Sequence, residues 1–483
     1  MLAEAEEWPA TRTNRFSWTL PQRFSLDWVW RSAGHSPHTP EAARPSSAGF
    51  RFPLGHPGGP GYNADMQALL DDIRDRALAL APELVARRRE LHQHPELSHH
   101  EERTAGLVAD DLRDLGLTVK TGLAGHGVLG VLKGTRPGRT VAWRADMDAL
   151  PIVEKVNLPW RSRVEGVMHA CGHDFHVSIA LGAARLLSAL KDRLAGEVRF
   201  IFQPAEEGPP VGDSGAKGMV AAGVLDNPRV AAVCALHVAP NLDVGHIRYG
   251  PGVVMAGADR IILTVTGKSA HGATPHRGVD PILTAAQVLN QIQAFLAQQI
   301  DARSPKILTF GRIQGGNRFN ILADAVTLEG SLRYLRDSVR QEVLNGLRRL
   351  AAGLAQASGA EIELTVEPLF PMLKNDPALA AQAVQVLQAV LGPARLKLLH
   401  PAMGSEDFPY YAAHSPGFYF FLGVRTPGGR GQALHSPLFN PDEGALPYGL
   451  MAAAGLLACL GEPEFPALAV AEPMPHEDEP GVM

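Results

Sequence analysis

The stretch Met168–His176, MHACGHDFH, places Cys171, His173, Asp174 and His176 within six residues. In an extended or turning segment Cys171 and His173 can reach one ion, the first as thiolate and the second as neutral imidazole. A second signal is QPAEEG, in which Glu206 and Glu207 follow the apolar FIFQ. Adjacent carboxylates at a strand's carboxyl end can divide the work. One holds a metal, while the other takes a proton from the attacking water and passes it to the leaving group. His237 closes the apolar run VCAL, and His435 lies in ALHSPLFNPDE next to another apolar stretch. Read singly, each has an ordinary alternative: a buried cysteine, a solvated acidic turn, a core histidine. Together they offer a thiolate, three imidazoles and carboxylates. That set suits Zn²⁺, Co²⁺, Ni²⁺ or Mn²⁺, and not Ca²⁺ or Mg²⁺, which want oxygen.

These residues need a scaffold, and the chain supplies one. From Met66 to about Ile247, short apolar runs alternate with helical patterns. GVLGVLKG, TVAWRADMDALP, EVRFIFQ and VAAVCALHVAP read as strands, and FHVSIALGAARLLSAL reads as a helix. The alternation predicts an α/β sheet with helices on its faces. Between Gly257 and Pro368 the order becomes strand, helix, strand, strand, helix, strand, the split βαβ pattern of a small two-layer domain. The first style returns with DPALAAQAVQVLQAVLG and GFYFFLGV. The expected organisation is a catalytic α/β domain of residues 66–256 and 369–463, interrupted by an α+β domain of residues 257–368. Residues 1–65, rich in Pro, Gly and Ser, and the tail 464–483 read as disordered.

Composition narrows the classes. Lys and Arg total 45 against 50 Asp and Glu, a net charge of −5, which offers no nucleic-acid footprint. No apolar run reaches the roughly 18 residues of a membrane span, and Leu450–Leu460 reads as a buried helix. Three scattered cysteines, Cys171, Cys234 and Cys459, make no disulfide framework, so a reducing cytoplasm is the expected setting. Cys234 and Cys459 read as core residues.

The ordered set of stretches RRRELHQHPELSHHEERTA, WRADMDALP, MHACGHDFH, FIFQPAEEG, ALHVAP, SAHGATPHRGVDPI, GGNRFNILADAVTLEGSLR, GSEDF and LHSPLFNPDEGAL resembles the M20 family of metallopeptidases and amidohydrolases. The similarity is to the branch holding hippurate hydrolase, N-acyl-amino-acid deacylases and plant auxin-conjugate hydrolases, and it runs from Met66 to about Gly461. The resemblance implies a catalytic domain with a central mixed sheet and an inserted ferredoxin-like lid that dimerises or tetramerises the chain. It implies two divalent metal ions held by Cys171, His173, Glu207, His237 and His435, with Glu206 as general base. It places Asp146 and Asp148 where other members carry a His-x-Asp ligand motif; here they are expected to support the ligand loops. It also implies that His271 of the lid faces the oxyanion across a subunit boundary, and that Asn320 and Arg333 anchor substrate, Arg333 through a bidentate clamp on a carboxylate. The expected activity is hydrolysis of an N-acyl amino acid to a carboxylate and a free amino acid. The alternatives are a dipeptidase or carboxypeptidase of the same fold, a catalytically silent binding protein, and a redox protein using Cys171. His92, His94, His99 and His100 are read as flanking a helix end and a new helix start, with Ser98 or His99 as cap. His176 is read as packing or as support for the ligands.

Overall fold

A computed structural model describes residues 64–208 and 214–463. The expectations for residues 1–63 and 464–483 lie outside these. Contacts divide the chain into Met1–Phe52 and Pro53–Met483, and every described residue belongs to the second unit.

Three helices open it: α1 (Ala64–Ala79), α2 (Ala81–Gln93) and α3 (Glu102–Asp114). α1 and α2 are separate helices, broken at Leu80, with Pro82 in the first turn of α2. Then come β1 (Thr118–Leu123), β2 (Gly127–Lys133), β3 (Arg136–Asp146), α4 (His173–Ala189), β4 (Ala195–Gln203), α5 (Gly215–Ala221), β5 (Ala232–Asp243), β6 (Ile247–Tyr249) and β7 (Gly252–Met255). The inserted piece is β8 (Gly257–Thr266), α6 (Pro281–Gln298), β9 (Lys306–Gly315), β10 (Ala325–Tyr334), α7 (Asp337–Ser358) and β11 (Glu361–Phe370). The chain closes with β12 (Leu373–Asn375), α8 (Pro377–Leu391), β13 (Leu396–Leu398), α9 (Pro409–Ala412), β14 (Gly417–Arg425) and α10 (Leu446–Leu460).

The large sheet has eight strands in the order β1-β2-β4-β3-β5-β14-β6-β13. Its middle four, β4, β3, β5 and β14, are mutually parallel, and antiparallel pairs lie at β1-β2, β2-β4 and β14-β6. Alternation along β3 shows why the sheet is covered on both faces. Val141, Trp143 and Ala145 enter one core with residues of α1, α2, α3, α4, α8 and α10, while Ala142 enters another with Met219 and Tyr411. The apolar α10 is a central core helix. A window ending on it, Glu443–Leu460, is 83% buried, so its hydrophobicity serves packing.

The small sheet is wholly antiparallel, β11-β8-β10-β9, with its own core of α6 and α7 residues. Its last strand reaches Phe370, paired with Ala258, two residues past Pro368. One end of the sheet lies beside the large domain, where Gly257 pairs with Tyr334, and the other lies away from it, where Thr266 pairs with Ala325.

Candidate metal centre and active site

Parallel strands bring their carboxyl ends to one edge, which is where open α/β sheets place their sites. Asp146 ends β3 in register with Gln203, which ends β4. Glu206 and Glu207 follow three and four residues later. His237 lies on β5 opposite Phe421 of β14. Cys171 precedes α4 and His173 is its first residue. Between them Gly172 has φ +87°, and a Cβ there would meet Val238 at 2.5 Å, so only glycine makes this turn freely. Ala205 (φ +49°) and His435 (φ +61°) also hold left-handed backbone beside the cluster. Strain of this kind collects at functional sites because the surroundings over-determine it. The buried Glu101 Oε1 accepts from Ala205 N at 2.8 Å and fixes the first of these turns.

The expected ligands converge. Donor atoms of Cys171, His173 and His237 lie within 4.8 Å of one another, as do those of Cys171, Glu207 and His435, and of His173, Glu206 and Glu207. Cys171 Sγ is 3.3 Å from His237 Nε2, and His435 Nε2 is 3.0 Å from Glu207 Oε1. His173 and His237 are buried, whereas the His435 side chain is 52% exposed, so the cluster is closed behind and open toward solvent. An open side is the mark of a catalytic rather than a structural ion site.

Hydrogen bonds orient the imidazoles as metal binding requires. His173 Nδ1 contacts the Asp148 carbonyl at 2.9 Å and its Oδ1 at 3.1 Å, so that nitrogen carries the proton. The opposite Nε2 is buried and has no hydrogen-bond partner, with Asp146 Oδ2 at 3.7 Å and Glu206 Oε2 at 3.9 Å. His237 Nδ1 likewise donates to the Val238 carbonyl at 2.8 Å, turning the Nε2 lone pair toward Cys171. A ring nitrogen buried without a partner costs free energy whether or not it carries a proton, and an ion fills that place. His176 is different. Its Nε2 accepts from Val238 N at 3.1 Å and its Nδ1 donates to Asp146 Oδ1 at 2.6 Å, so both nitrogens are spent tying β5 beside His237 to Asp146.

Electrostatics point the same way. Burial, then Glu207 and Glu206, pushes the Cys171 thiol well above its ordinary range. Burial, then Glu406 and Glu207, does the same to the Glu206 carboxyl. Burial alone would favour neutral His173, but Asp146 and Asp148 outweigh it and carry its pKa up to about 10. Burial and His176 bring His237 down to about 4, which keeps it neutral as a ligand must be. This is an acidic pocket short of positive charge. Divalent ions fit both its donor set and its charge.

Asp148 ties the ligand segments together. Besides His173, it accepts from Glu207 N at 2.8 Å and from Ser98 Oγ at 2.7 Å. Ser98 is therefore no helix cap; α3 starts after Glu101 with no side-chain cap. Asp146 is held by His176 and, at 2.6 Å, by Arg144, which keeps it well below the usual carboxylate range despite burial. His92, in the last turn of α2, is buried and lies 2.8 Å from Asp174, which pairs with Arg88 at 2.8 Å.

Sequence reading gave no role to Glu101, Arg144, Gln203, Glu406 or Asp407. The available signal was a charged residue inside an apolar strand, WRAD, and the GSEDF stretch. The lid residues divide. Arg333 donates to the Met403 carbonyl at 3.1 Å and to Ser405 Oγ at 3.2 Å, at the junction with the large domain. His271 is bridged to Ile321, and Gly272 N donates to Asn320 O at 2.8 Å, so His271 and Asn320 sit together at the far end of the small sheet. Eight residues of β10 separate that end from Arg333, about 25 Å at strand rise. One chain therefore does not bring Arg333 and His271 to one substrate. Ala273 N donates to His271 Nδ1 at 3.1 Å, which leaves the exposed Nε2–H as a free-facing donor.

Residues 142–458 match the model of peptidase family M20/M25/M40, and the chain belongs to that family, a family of hydrolases. Among curated relatives, thermostable carboxypeptidase 1 of Saccharolobus solfataricus is 38% identical over 80% of this chain and 97% of its own. N-acetyl-L-cysteine deacetylase of Bacillus subtilis is 36% identical over 76% of this chain and 85% of its own. Among solved structures, the Bacillus subtilis YXEP protein, a dinuclear metal binding peptidase from the M20 family, superposes with a TM-score of 0.69. It is 34% identical and covers 80% of this chain and 99% of its own. The mixed α/β fold with its central sheet is the fold of these M20 structures.

Proposed function

We propose that the protein hydrolyses the amide bond of N-acyl amino acids, giving a carboxylate and a free amino acid, with two divalent ions among Zn²⁺, Mn²⁺, Co²⁺ and Ni²⁺. The observation that carries this reading is Glu206 Oε2 standing 3.9 Å from the unpartnered His173 Nε2 and within reach of Glu207. Cys171, His173, Glu207, His237 and His435 would hold the ions. When bound, such ions polarise an acyl carbonyl and make water acidic enough to attack near neutral pH. Glu206 removes one proton from that water as its oxygen bonds to the acyl carbon. The same carboxyl then delivers the proton to the amide nitrogen as the C–N bond breaks.

His271 and Asn320 would reach the site from a partner subunit, because their own chain places them remote from Arg333. Phe319 and Ile321, flanking Asn320, are 103% and 44% exposed, a fitting surface for a homodimer or homotetramer. Arg333 would turn its remaining N–H groups to the substrate's carboxylate. A cytoplasmic setting fits three free, buried cysteines. The second reading, a carboxypeptidase, is favoured by the 38% identity to a carboxypeptidase.

The test is a panel of N-acetyl, N-benzoyl and indole-acetyl amino acids against dipeptides, with metal-loaded enzyme. N-acyl amino acids are expected to be cleaved with higher kcat/KM; a preference for dipeptides would move the assignment to the second reading. Glu206→Gln at full metal occupancy should lose at least ~10²-fold in kcat. Unchanged turnover would remove Glu206 as the base.

A further inference from the structure

The stretch GSEDF, residues 404–408, lies within the family match, yet the proposed hydrolysis uses none of its residues. We propose that Glu406 is a positioning residue: by occupying Arg144 with a fixed carboxylate, it keeps the base Glu206 free and turned toward the metal ligands. This rests on the reading of Glu206 as general base. Oxygens of Glu206, Glu406 and Asp407 lie within 4.8 Å of one another. The guanidinium of Arg144, 1% exposed, is inside the same cluster. Its Nε donates to Gln203 Oε1 at 2.8 Å, one terminal nitrogen to Asp146 Oδ2 at 2.6 Å, and the other to Glu406 Oε1 at 2.9 Å and Asp407 Oδ1 at 2.8 Å. Four of five N–H groups thus have acceptors, and Glu206 is not one of them.

Glu406 cannot move. Oε1 also accepts from Asp407 N at 3.0 Å and Phe408 N at 3.2 Å, and Oε2 accepts from Tyr419 OH at 2.7 Å. The loop that carries it is gripped from the small sheet as well, through Arg333 and Ser405. A buried guanidinium attracts the nearest carboxylate that is not already committed. With Glu406 in place that position is filled, and Glu206 is left facing His173. Without the Glu406 charge, Glu206 swings onto Arg144 and the base is sequestered.

The experiment compares wild type, Glu406→Gln and Glu206→Gln, using the N-acetyl amino acid that wild type cleaves best. Metal content, kcat and KM are measured, and the Glu406→Gln crystal structure is determined. The amide keeps the size and the acceptor, and loses only the charge. Glu406→Gln is expected to lower kcat at least tenfold with KM and metal content held, and to show Glu206 paired with Arg144. Wild-type kcat, or a loss matched by loss of metal, overturns the proposal. Should Glu406→Gln not fold, the crystal structure of metal-loaded wild type decides: Glu206 turned to the metal ligands and away from Arg144 is expected, and a Glu206–Arg144 ion pair there overturns the proposal. An inactive Glu206→Gln beside a fully active Glu406→Gln overturns the positioning role alone, whereas an active Glu206→Gln removes the base assignment itself.

Discussion

At the scale of single residues, chemistry is decided by which nitrogen or oxygen is already taken. His173 and His176 are three residues apart on one helix face, but only His173 keeps a ring nitrogen without a partner. Asp148 holds that ring and the Glu207 backbone at once, so a single carboxylate sets two of the proposed ligands. In the metal-free protein His173, with its pKa of about 10, carries a second proton at neutral pH, and Cys171 is a thiol. An ion must displace both protons. Because both groups titrate above neutrality, raising the pH lowers the competition, so affinity rises with pH. Calorimetric titration of the metal-free protein with Zn²⁺ in buffers of different ionisation enthalpy should show net proton release, and tighter binding at pH 8 than at pH 6. Binding that is independent of pH would mean that the ion sits elsewhere.

At the scale of elements, the site exists because β4, β3, β5 and β14 run the same way. The alternation of strands and helices was legible in the sequence, as was the apolar run EVRFIFQ ending ahead of the glutamates; the strand read in TVAWRADMDALP stops at Asp146, and the one read in VAAVCALHVAP runs past His237 to Asp243. The inserted strand–helix–strand–strand–helix–strand order was equally readable, since its periodicities switch cleanly between two and 3.6. Three-residue strands such as β6, β12 and β13 were not, because so short a run has no period. Nor was the lid's reach, since sequence spacing does not reveal which end of a sheet meets the large domain. The separation of Arg333 from His271 has a direct consequence if subunits share sites. Mixing His271→Ala with Glu206→Gln chains should restore activity in the mixed dimers, about a quarter of wild type for random pairing of equal amounts. No recovery above the separate variants would place His271 outside the reaction.

At the scale of the whole molecule, the buried polar network is what sequence alone could not deliver. Arg144, Glu406 and Asp407 are separated by some 260 positions and become intelligible only when β3 and the loop before α9 meet. Breaking such a buried pair by removing one partner costs about 3–5 kcal/mol, so these residues maintain the fold as well as the site. The pocket they surround gathers more acidic groups than its single guanidinium neutralises, and the ligand side chains are oriented before any ion arrives. The account stands or falls on that convergence. Anomalous diffraction at the absorption edge of the bound metal, from crystals of loaded enzyme, measures it directly. Two peaks are expected, roughly 3.5–4 Å apart, enclosed by Cys171, His173, Glu207, His237 and His435. A peak at some other cluster, or these five side chains left without one, would contradict it.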